Sequence, residues 1–323
     1  MNLKQIKQIK LLDLQPKLSS FKEEVINGLN AYPKYLSPKF FYDEEGSKLF
    51  ELICQLDEYY PTRTEIGIIE DNMDEIAAFI GKKPTIIEFG SGASEKIRHI
   101  VDQIDQHAVY MAIDISKEFL IESANNLSEQ YPHIDVYAIC ADFTKRIKLP
   151  QFSDQTHRVA FFPGSTIGNF DPPDALSFMK NSRGLLETGD GFLIGIDLHK
   201  KTELLEPAYN DAEGVTAQFN LNILNRMNSE LDMDFNPDTF EHLAFYNQRF
   251  KRIEMHLRSK IDQVVSLEDY SFEFSENETI HTESSYKYTD KMMNELFRRS
   301  GFVLAKSWRD KDNLFSVNYL EAV

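Results

Sequence analysis

Thr85-Ile86-Ile87-Glu88-Phe89-Gly90-Ser91-Gly92 decides the fold: a short, mostly apolar run leads straight into a glycine turn. From Ser94 to Ile104 the apolar residues then recur at Ile97, Ile100, Val101 and Ile104, the i, i+3, i+4, i+7 stripe of a helix laid on a core. The alternation continues outward. Val109 to Asp114 reads as strand, Lys117 to Gln130 as helix, and Ile134 to Cys140 and Val159 to Phe162 as strands. Pro173 to Leu186 follows as helix and Phe192 to Leu198 as a fifth strand, after the turn Gly189-Asp190-Gly191. Such repetition predicts an α/β fold, a parallel sheet with helices on both faces, whose ligands lie at the carboxyl ends of the strands.

Beyond Leu198 the pattern changes. A long helical stretch, Val215 to Leu231, precedes period-2 segments in which Ile253, Met255 and Leu257, then Tyr270, Phe272 and Phe274, alternate with polar residues, as in half-buried antiparallel strands. A helix from Asp290 to Ser300, stopped by Gly301, and two closing strands, Phe302 to Ser307 and Leu314 to Leu320, are expected to complete the first sheet. Residues 1 to about 62 form a further unit, expected to be helical at both ends. Pro61 is read there as a helix breaker, with Thr62 or Thr64 capping the helix that follows.

At 323 residues the chain is long enough for about two domains, and 35 Lys+Arg against 52 Asp+Glu leave a net charge of −17, which argues against a nucleic-acid partner. No apolar run reaches the length of a membrane span, and Met1-Asn2-Leu3-Lys4-Gln5-Ile6-Lys7 lacks the apolar core of a signal peptide. The expectation is a soluble, cytoplasmic monomer. Cys54 and Cys140, 86 residues apart, read as reduced core thiols, and no two of the eight histidines stand at zinc-site spacing, so no metal is indicated.

Glu88-Phe89-Gly90-Ser91-Gly92 has the form acid-x-Gly-x-Gly, with Gly90, Ser91 and Gly92 placed to bring backbone amides close to a ligand. It is not the full dinucleotide fingerprint, because Glu95 stands where a third Gly or Ala belongs and a carboxylate is poor company for a pyrophosphate. That points to a cofactor without phosphates, such as S-adenosylmethionine. Asp114, 24 residues after Gly90, ends the second strand where a carboxylate can accept from both ribose hydroxyls. Asp142 and Phe143, past the third strand, offer an acceptor for an exocyclic amine and an apolar face for adenine.

With these motifs in place the chain closely resembles the histidine-specific N-alpha-methyltransferases of ergothioneine biosynthesis. The resemblance rests on Phe41-Tyr42-Asp43, Glu58-Tyr59-Tyr60-Pro61-Thr62-Arg63-Thr64-Glu65, Gly90-Ser91-Gly92-Ala93-Ser94-Glu95-Lys96 and Gly164-Ser165-Thr166-Ile167-Gly168-Asn169. It extends to Tyr209, Gly214-Val215-Thr216-Ala217, Ile253-Glu254-Met255 and Thr282-Glu283-Ser284-Ser285. It implies a class I, Rossmann-like methyltransferase domain, residues 63–198 with 287–323. A second, substrate-binding α+β lobe is implied from residues 1–62 and the insertion 199–286 after the fifth strand. It assigns the cofactor to Gly90, Lys96, Asp114, Asp142 and Phe143. It also places Asn169 and the Gly164 region at the α-amino group of histidine, and Tyr59 and Tyr209 at its carboxylate. Tyr42 and Phe50 then fall near the methylated nitrogen, Glu283 and Ser285 on the imidazole, and Met255 against the ring. Asn169, Tyr42 and Tyr59 are the implied catalytic set.

Without the resemblance these residues have plainer readings. Tyr59 and Met255 pattern as core, Asn169 closes a turn before Pro172-Pro173, and Glu283 is an exposed carboxylate on a polar strand. Three other functions compete: a methyltransferase of the same fold acting on a prenylated tryptophan, a non-catalytic S-adenosylmethionine-binding regulator, and a nicotinamide-dependent dehydrogenase. Glu283 with Ser285 argues against the first, since an indole has one N–H and no acceptor; Glu95 argues against the last. Two segments depart from the family pattern: Pro163, which restrains Phe162 toward an extended conformation, and the looser Ser307-Trp308-Arg309-Asp310.

Overall fold

The strand Thr85–Phe89 is buried along its whole length, as a central parallel strand covered on both faces must be. It pairs in parallel with Ala108–Asp114 on one side and Arg158–Phe162 on the other. The chain leaves it in opposite directions, and this reversal opens the crevice where ligands of such sheets bind. A computed structural model describes residues 4–6, 9–15, 21–92, 95–104, 107–150 and 157–323, and in it the chain divides into two compact units.

The first unit carries a nine-stranded sheet. Its order is Lys4–Ile6, Ile9–Asp13, Ile134–Cys140, Ala108–Asp114, Thr85–Phe89, Arg158–Phe162, Gly191–Asp197, Phe315–Ala322, Phe302–Arg309. Phe315–Ala322 runs antiparallel to both neighbours, so the closing hairpin inserts its last strand inside the sheet. The helical stripe is realised: Ile97, Ile100, Val101 and Ile104 are all buried in the same core cluster as Ile86 and Tyr110, each contributing roughly 1.5–3 kcal/mol for a fully buried aliphatic side chain.

Two expectations for the N-terminal region are corrected. Residues 9–13 form a strand, not a helix, and pair in parallel with Ile134–Cys140, so the described start of the chain extends the first sheet. Ile9, Leu11 and Leu12 are buried there, and their apolar surface is what docks the strand. Pro61 does not break a helix either. It lies in the first turn of Tyr60–Asp71, where a missing N–H costs nothing because those amides have no partner within the helix.

The second unit comprises Leu18–Arg63 and His199–Lys287. Its four-stranded sheet has the order Lys34–Tyr35, Thr279–Tyr286, Arg252–Ser259, Phe240–Asn247, with a separate ladder of Gln263–Leu267 and Tyr270–Phe274. The helix Val215–Leu231 forms over the stretch its pattern predicts, and Asp211 accepts from the amides of Val215 and Thr216 at 2.8 Å each to cap it. Among the described residues no helix is long and apolar enough to cross a membrane. Cys54 and Cys140 are both free thiols, Cys140 buried and Cys54 half-buried.

Candidate active site

In the first unit the expected cofactor residues gather at the carboxyl ends of the strands. Gly90 adopts φ +67°, a region L-residues avoid, and a β-carbon there would meet the Phe143 ring at 3.5 Å. The amide of Gly90 donates to the Ile113 carbonyl at 2.8 Å, which ties the glycine turn to the neighbouring strand. Asp114 closes that strand, accepting from the amides of Gly92 at 3.3 Å and Ser116 at 2.9 Å. Burial pushes its carboxyl above the ordinary carboxylate range, while those amides pull it back.

Asp142 shows the opposite balance. Burial works to raise it, but hydrogen bonds from Thr144 and Lys145 outweigh that and leave it below the ordinary range. Half-buried Phe143 belongs to a cluster of rings, with centroids 5.9–6.1 Å from those of Phe89, Phe162 and Phe178.

Glu65 is the residue of this unit that sequence reasoning did not single out. It is 1 % exposed, forms an ion pair with Lys96, and accepts from the Gly164 amide with both carboxylate oxygens, at 3.0 and 2.9 Å. A β-carbon on Gly195 would lie 1.8 Å from its Oε1, so a glycine in the fifth strand makes room for it. Gly164 and half-buried Asn169 bracket a tight turn in which Ser165 is left-handed at φ +53° and accepts from the Asp197 amide through Oγ at 2.8 Å. Pro163 follows the last residue of Arg158–Phe162, so the extended conformation it imposes on Phe162 is the one the strand already needs.

The second unit brings together Tyr42, Phe50, Tyr59, Tyr209, Glu283 and Ser285. Ring centroids lie 5.6 Å apart for Tyr42 and Phe50, 6.2 Å for Phe50 and Tyr59, and 6.1 Å for Tyr59 and Tyr209. Phe219, from the long helix and not foreseen from sequence, joins this row 5.8 Å from Tyr42 and 6.0 Å from Phe50. Tyr42 keeps 44 % of its surface uncovered. The Tyr209 and Ser285 hydroxyls share a hydrogen bond of 2.9 Å.

Tyr209 is held from behind. His242 Nε2 donates to its carbonyl at 2.8 Å, and Asn220 donates to His242 Nδ1 at 2.9 Å, which sets the imidazole tautomer. Burial lowers the His242 pKa and favours that neutral ring. Thr282 Oγ1 completes the network by donating to Asn220 Oδ1 at 2.8 Å.

Glu283 is not the exposed carboxylate of the plain reading. It is 8 % exposed, and burial raises its pKa to about 7 against a pull downward from Lys287. Among the described residues no hydrogen bond to its carboxylate contributes to that balance. Met255 stands opposite Glu283 in the strand register and is 2 % exposed. Glu283 and Ser285 lie two apart on one strand face, and Lys287 continues the alternation, which is the signal that would have found it.

A parallel sheet with a strand reversal, a glycine turn and a carboxylate on the second strand defines a class I α/β methyltransferase fold. A solved S-adenosylmethionine-dependent methyltransferase from Clostridium acetobutylicum superposes with a TM-score of 0.50 at 11 % identity, over 85 % of this chain and 98 % of that one. The chain belongs to the family of S-adenosylmethionine-dependent, histidine-specific methyltransferases, whose model matches residues 21–322. It is 37 % identical to a histidine N-alpha-methyltransferase of Mycolicibacterium smegmatis, over 93 % of this chain and 94 % of that protein. It is also 28 % identical to ergothioneine biosynthesis protein 1 of Schizosaccharomyces pombe, over 84 % of this chain and 37 % of that longer protein.

The donor set of the first unit fits the cofactor of this family. Of the residues expected to hold it, Lys96 would bring an ammonium, Asp114 a carboxylate suited to the ribose hydroxyls, Asp142 an acceptor for the adenine amine and Phe143 an apolar face. Gly90, Ser91 and Gly92 would let backbone approach closely. Among the described residues no group of His, Cys, Asp or Glu side chains could hold a metal ion.

Proposed function

We propose that this chain transfers methyl groups from S-adenosylmethionine to the α-amino nitrogen of L-histidine, three times in succession, giving the trimethylammonium betaine that leads to ergothioneine. The observation that carries the histidine reading is Glu283: a buried carboxylate without a donor among the described residues, on the same strand face as a hydroxyl engaged with Tyr209. Such a group is costly to bury unless a ligand completes it, and an imidazole N–H does so. Ser285 serves the other ring nitrogen, and Met255 packs the ring. Phenylalanine or leucine would leave both polar groups unpaired, which is how a site of this kind rejects apolar ligands.

S-adenosylmethionine, when bound, supplies an electrophilic methyl on a sulfonium centre. The protein's own part is positioning. An amine lone pair must be presented in line and dry, and holding it so can account for most of the acceleration. The Asn169 amide oxygen accepts an N–H of the amine and orients the lone pair without offering a competing nucleophile, so no strong base is required. The hydroxyls of Tyr59 and Tyr209 take the carboxylate. As methyls accumulate the nitrogen loses its donors, and the faces of Tyr42, Phe50 and Tyr59 become its partners, each cation–π contact worth about 0.5–2 kcal/mol. A quaternary nitrogen has no lone pair, so the reaction stops at three.

The test is mass spectrometry of products after incubation with S-adenosylmethionine and a panel of free amino acids that includes tryptophan and dimethylhistidine. Three methyl increments on histidine alone are expected. Methylation of tryptophan with histidine untouched would overturn the assignment.

A further inference from the structure

Arg252–Ser259 and Thr279–Tyr286 pair antiparallel, and their register slips by one residue in the middle: Met255 stands opposite Glu283, yet the next residue, His256, stands opposite His281. Thr282 is the extra residue, a β-bulge, and an insertion of one residue reverses the facing of the strand beyond it. The reversal shows in the side chains. Before the bulge, buried Ile280 stands opposite Leu257; after it, Glu283 and Ser285 stand opposite Met255 and Ile253, which share a face with Leu257. Ser284 instead lies with His281, their Oγ and Nε2 3.0 Å apart, although residues three apart in an unbroken strand point to opposite sides. Continued without the bulge, the alternation from Ile280 would bring Thr282 and Ser284 to the face of Met255 and turn Glu283 and Ser285 away from it.

One side chain grips both strands at the bulge. Asn220, from the helix Val215–Leu231, is 0 % exposed. Its Nδ2 donates to the His256 carbonyl at 3.0 Å. A carbonyl can only accept, so the orientation of the amide is fixed and Oδ1 is the atom that accepts from Thr282 Oγ1 at 2.8 Å. The same hydroxyl lies 3.0 Å from the Met255 carbonyl, so its one proton is shared between the two acceptors. Asn220 thus ties the extra residue of one strand to the backbone of the other at the point of the slip. Through His242 Nδ1 it also reaches the ring that holds the Tyr209 carbonyl.

We infer that Asn220 is a positioning residue that pins the bulge at Thr282 and thereby sets the face on which Glu283 and Ser285 lie, so that selectivity for the imidazole depends on a buried amide of the helix Val215–Leu231. This rests on the roles proposed above for Glu283 and Ser285. Bulges re-aim side chains beside functional sites, and this one immediately precedes the carboxylate it aims. With the Asn220 amide or the Thr282 hydroxyl removed, the bonds that mark the place of the bulge are lost. Shifting it past Glu283 then sets a hydroxyl where the carboxylate stood.

The experiment compares kcat/KM for histidine and phenylalanine in the wild type, Asn220→Leu, Thr282→Val and Thr282→Ser, each also in a Glu283→Gln background. Calorimetric binding of S-adenosylhomocysteine reports on the integrity of the fold. Asn220→Leu removes the amide at nearly constant volume, Thr282→Val removes the hydroxyl alone, and Thr282→Ser keeps it. In Asn220→Leu and Thr282→Val the preference for histidine is expected to fall about tenfold or more, the scale of one lost hydrogen bond to a charged group. The fall is expected mainly through a higher KM for histidine, with S-adenosylhomocysteine affinity unchanged. Thr282→Ser is expected to keep the wild-type preference. In the Glu283→Gln background the same two substitutions are expected to lower the preference by less than about threefold further, because changes that act through one contact do not add. An unchanged preference in Asn220→Leu and Thr282→Val, or losses that add in full in that background, overturns the inference. Where Asn220→Leu does not fold, the Thr282 pair decides: preference lost with Val and kept with Ser supports the inference, and any other pattern overturns it. A wild type that binds S-adenosylhomocysteine and leaves histidine unmethylated fails the proposed function itself and removes this inference with it, whereas methylation of histidine with an unchanged preference in the variants fails this inference alone.

Discussion

Each unit contains a buried carboxylate pushed toward neutrality, and the two are handled differently. Glu88, in the central strand of the nine-stranded sheet, is 2 % exposed and raised to about 8 by burial, with the Tyr110 phenol donating to it and Lys96 drawing it partly back. Glu283, in the second unit, is raised to about 7 with no such donor among the described residues. The first is a completed structural pair, fixed under the glycine turn. The second is incomplete, and a buried polar group left incomplete is paid for in stability. The same contrast holds more widely. Lys96, Asp114 and Asp142 are already engaged by Glu65, by backbone amides and by Lys145, whereas Glu283, the carboxylate proposed to select the amino acid, has no such donor among the described residues.

The sharpest way to break the contrast is to remove a group on the side that is already engaged. Asp114→Ala is expected to weaken S-adenosylhomocysteine binding by about 100-fold or more, since two hydrogen bonds to a charged group are worth about 1.5–3 kcal/mol each. Titration calorimetry measures it, and a loss below tenfold would remove Asp114 from the cofactor site. Glu65→Gln comes next. It keeps an acceptor for the Gly164 amide but strands the Lys96 charge in a largely buried place, so a loss of about 3–5 kcal/mol in unfolding free energy is expected from denaturant titration. A loss under 1 kcal/mol would mean that Lys96 finds water or another partner and that Glu65 holds nothing in place.

Legibility from sequence followed the range of the contacts. The strands and helices around Thr85–Phe89 were readable because period and turn chemistry are local, and Lys117–Gln130, Val215–Leu231 and Asp290–Ser300 form over the predicted residues. The strand Ile9–Asp13 was not, since what makes it a strand is a partner far along the chain: Lys10 meets the Tyr137 hydroxyl 127 residues away. Glu65 was passed over for the same reason, its partners lying 31 and 99 residues on. Glu283 illustrates the remainder. Its residue type and the family resemblance suggested a role, but a polar strand reads as exposed, and only tertiary packing turns that carboxylate into a buried one.

A smaller effect separates the two buried acids directly. A carboxyl whose folded pKa lies above its unfolded value of about 4.5 keeps its proton longer in the native state, so the native state binds more protons and stability falls as pH rises through that interval. Glu283 imposes this loss between about pH 4.5 and its folded value of about 7, and Glu88 between about 4.5 and 8. Glu283→Gln is therefore expected to be no less stable than the wild type at pH 7.5, by up to about 3 kcal/mol in its favour, and to lose that advantage by pH 4.5. It is also expected to lose its preference for histidine over phenylalanine. A variant whose stability relative to the wild type does not change between pH 4.5 and 7.5 would show that Glu283 is solvated.

Met255→Leu is the mildest of these changes and bears on which side of the contrast the strand opposite Glu283 belongs to. Met255 is almost fully buried and sits across from Glu283, so a volume-conserving swap is expected to cost less than about 1.5 kcal/mol. If the thioether packs only against protein, the melting temperature moves slightly and the KM for histidine stays put. If it packs against the imidazole, as proposed, losing a flexible, polarisable contact of about 0.3–1.5 kcal/mol raises that KM by roughly two- to tenfold with S-adenosylhomocysteine affinity unchanged. An unchanged KM would return Met255 to the core and leave recognition of the ring to Glu283 and Ser285 alone.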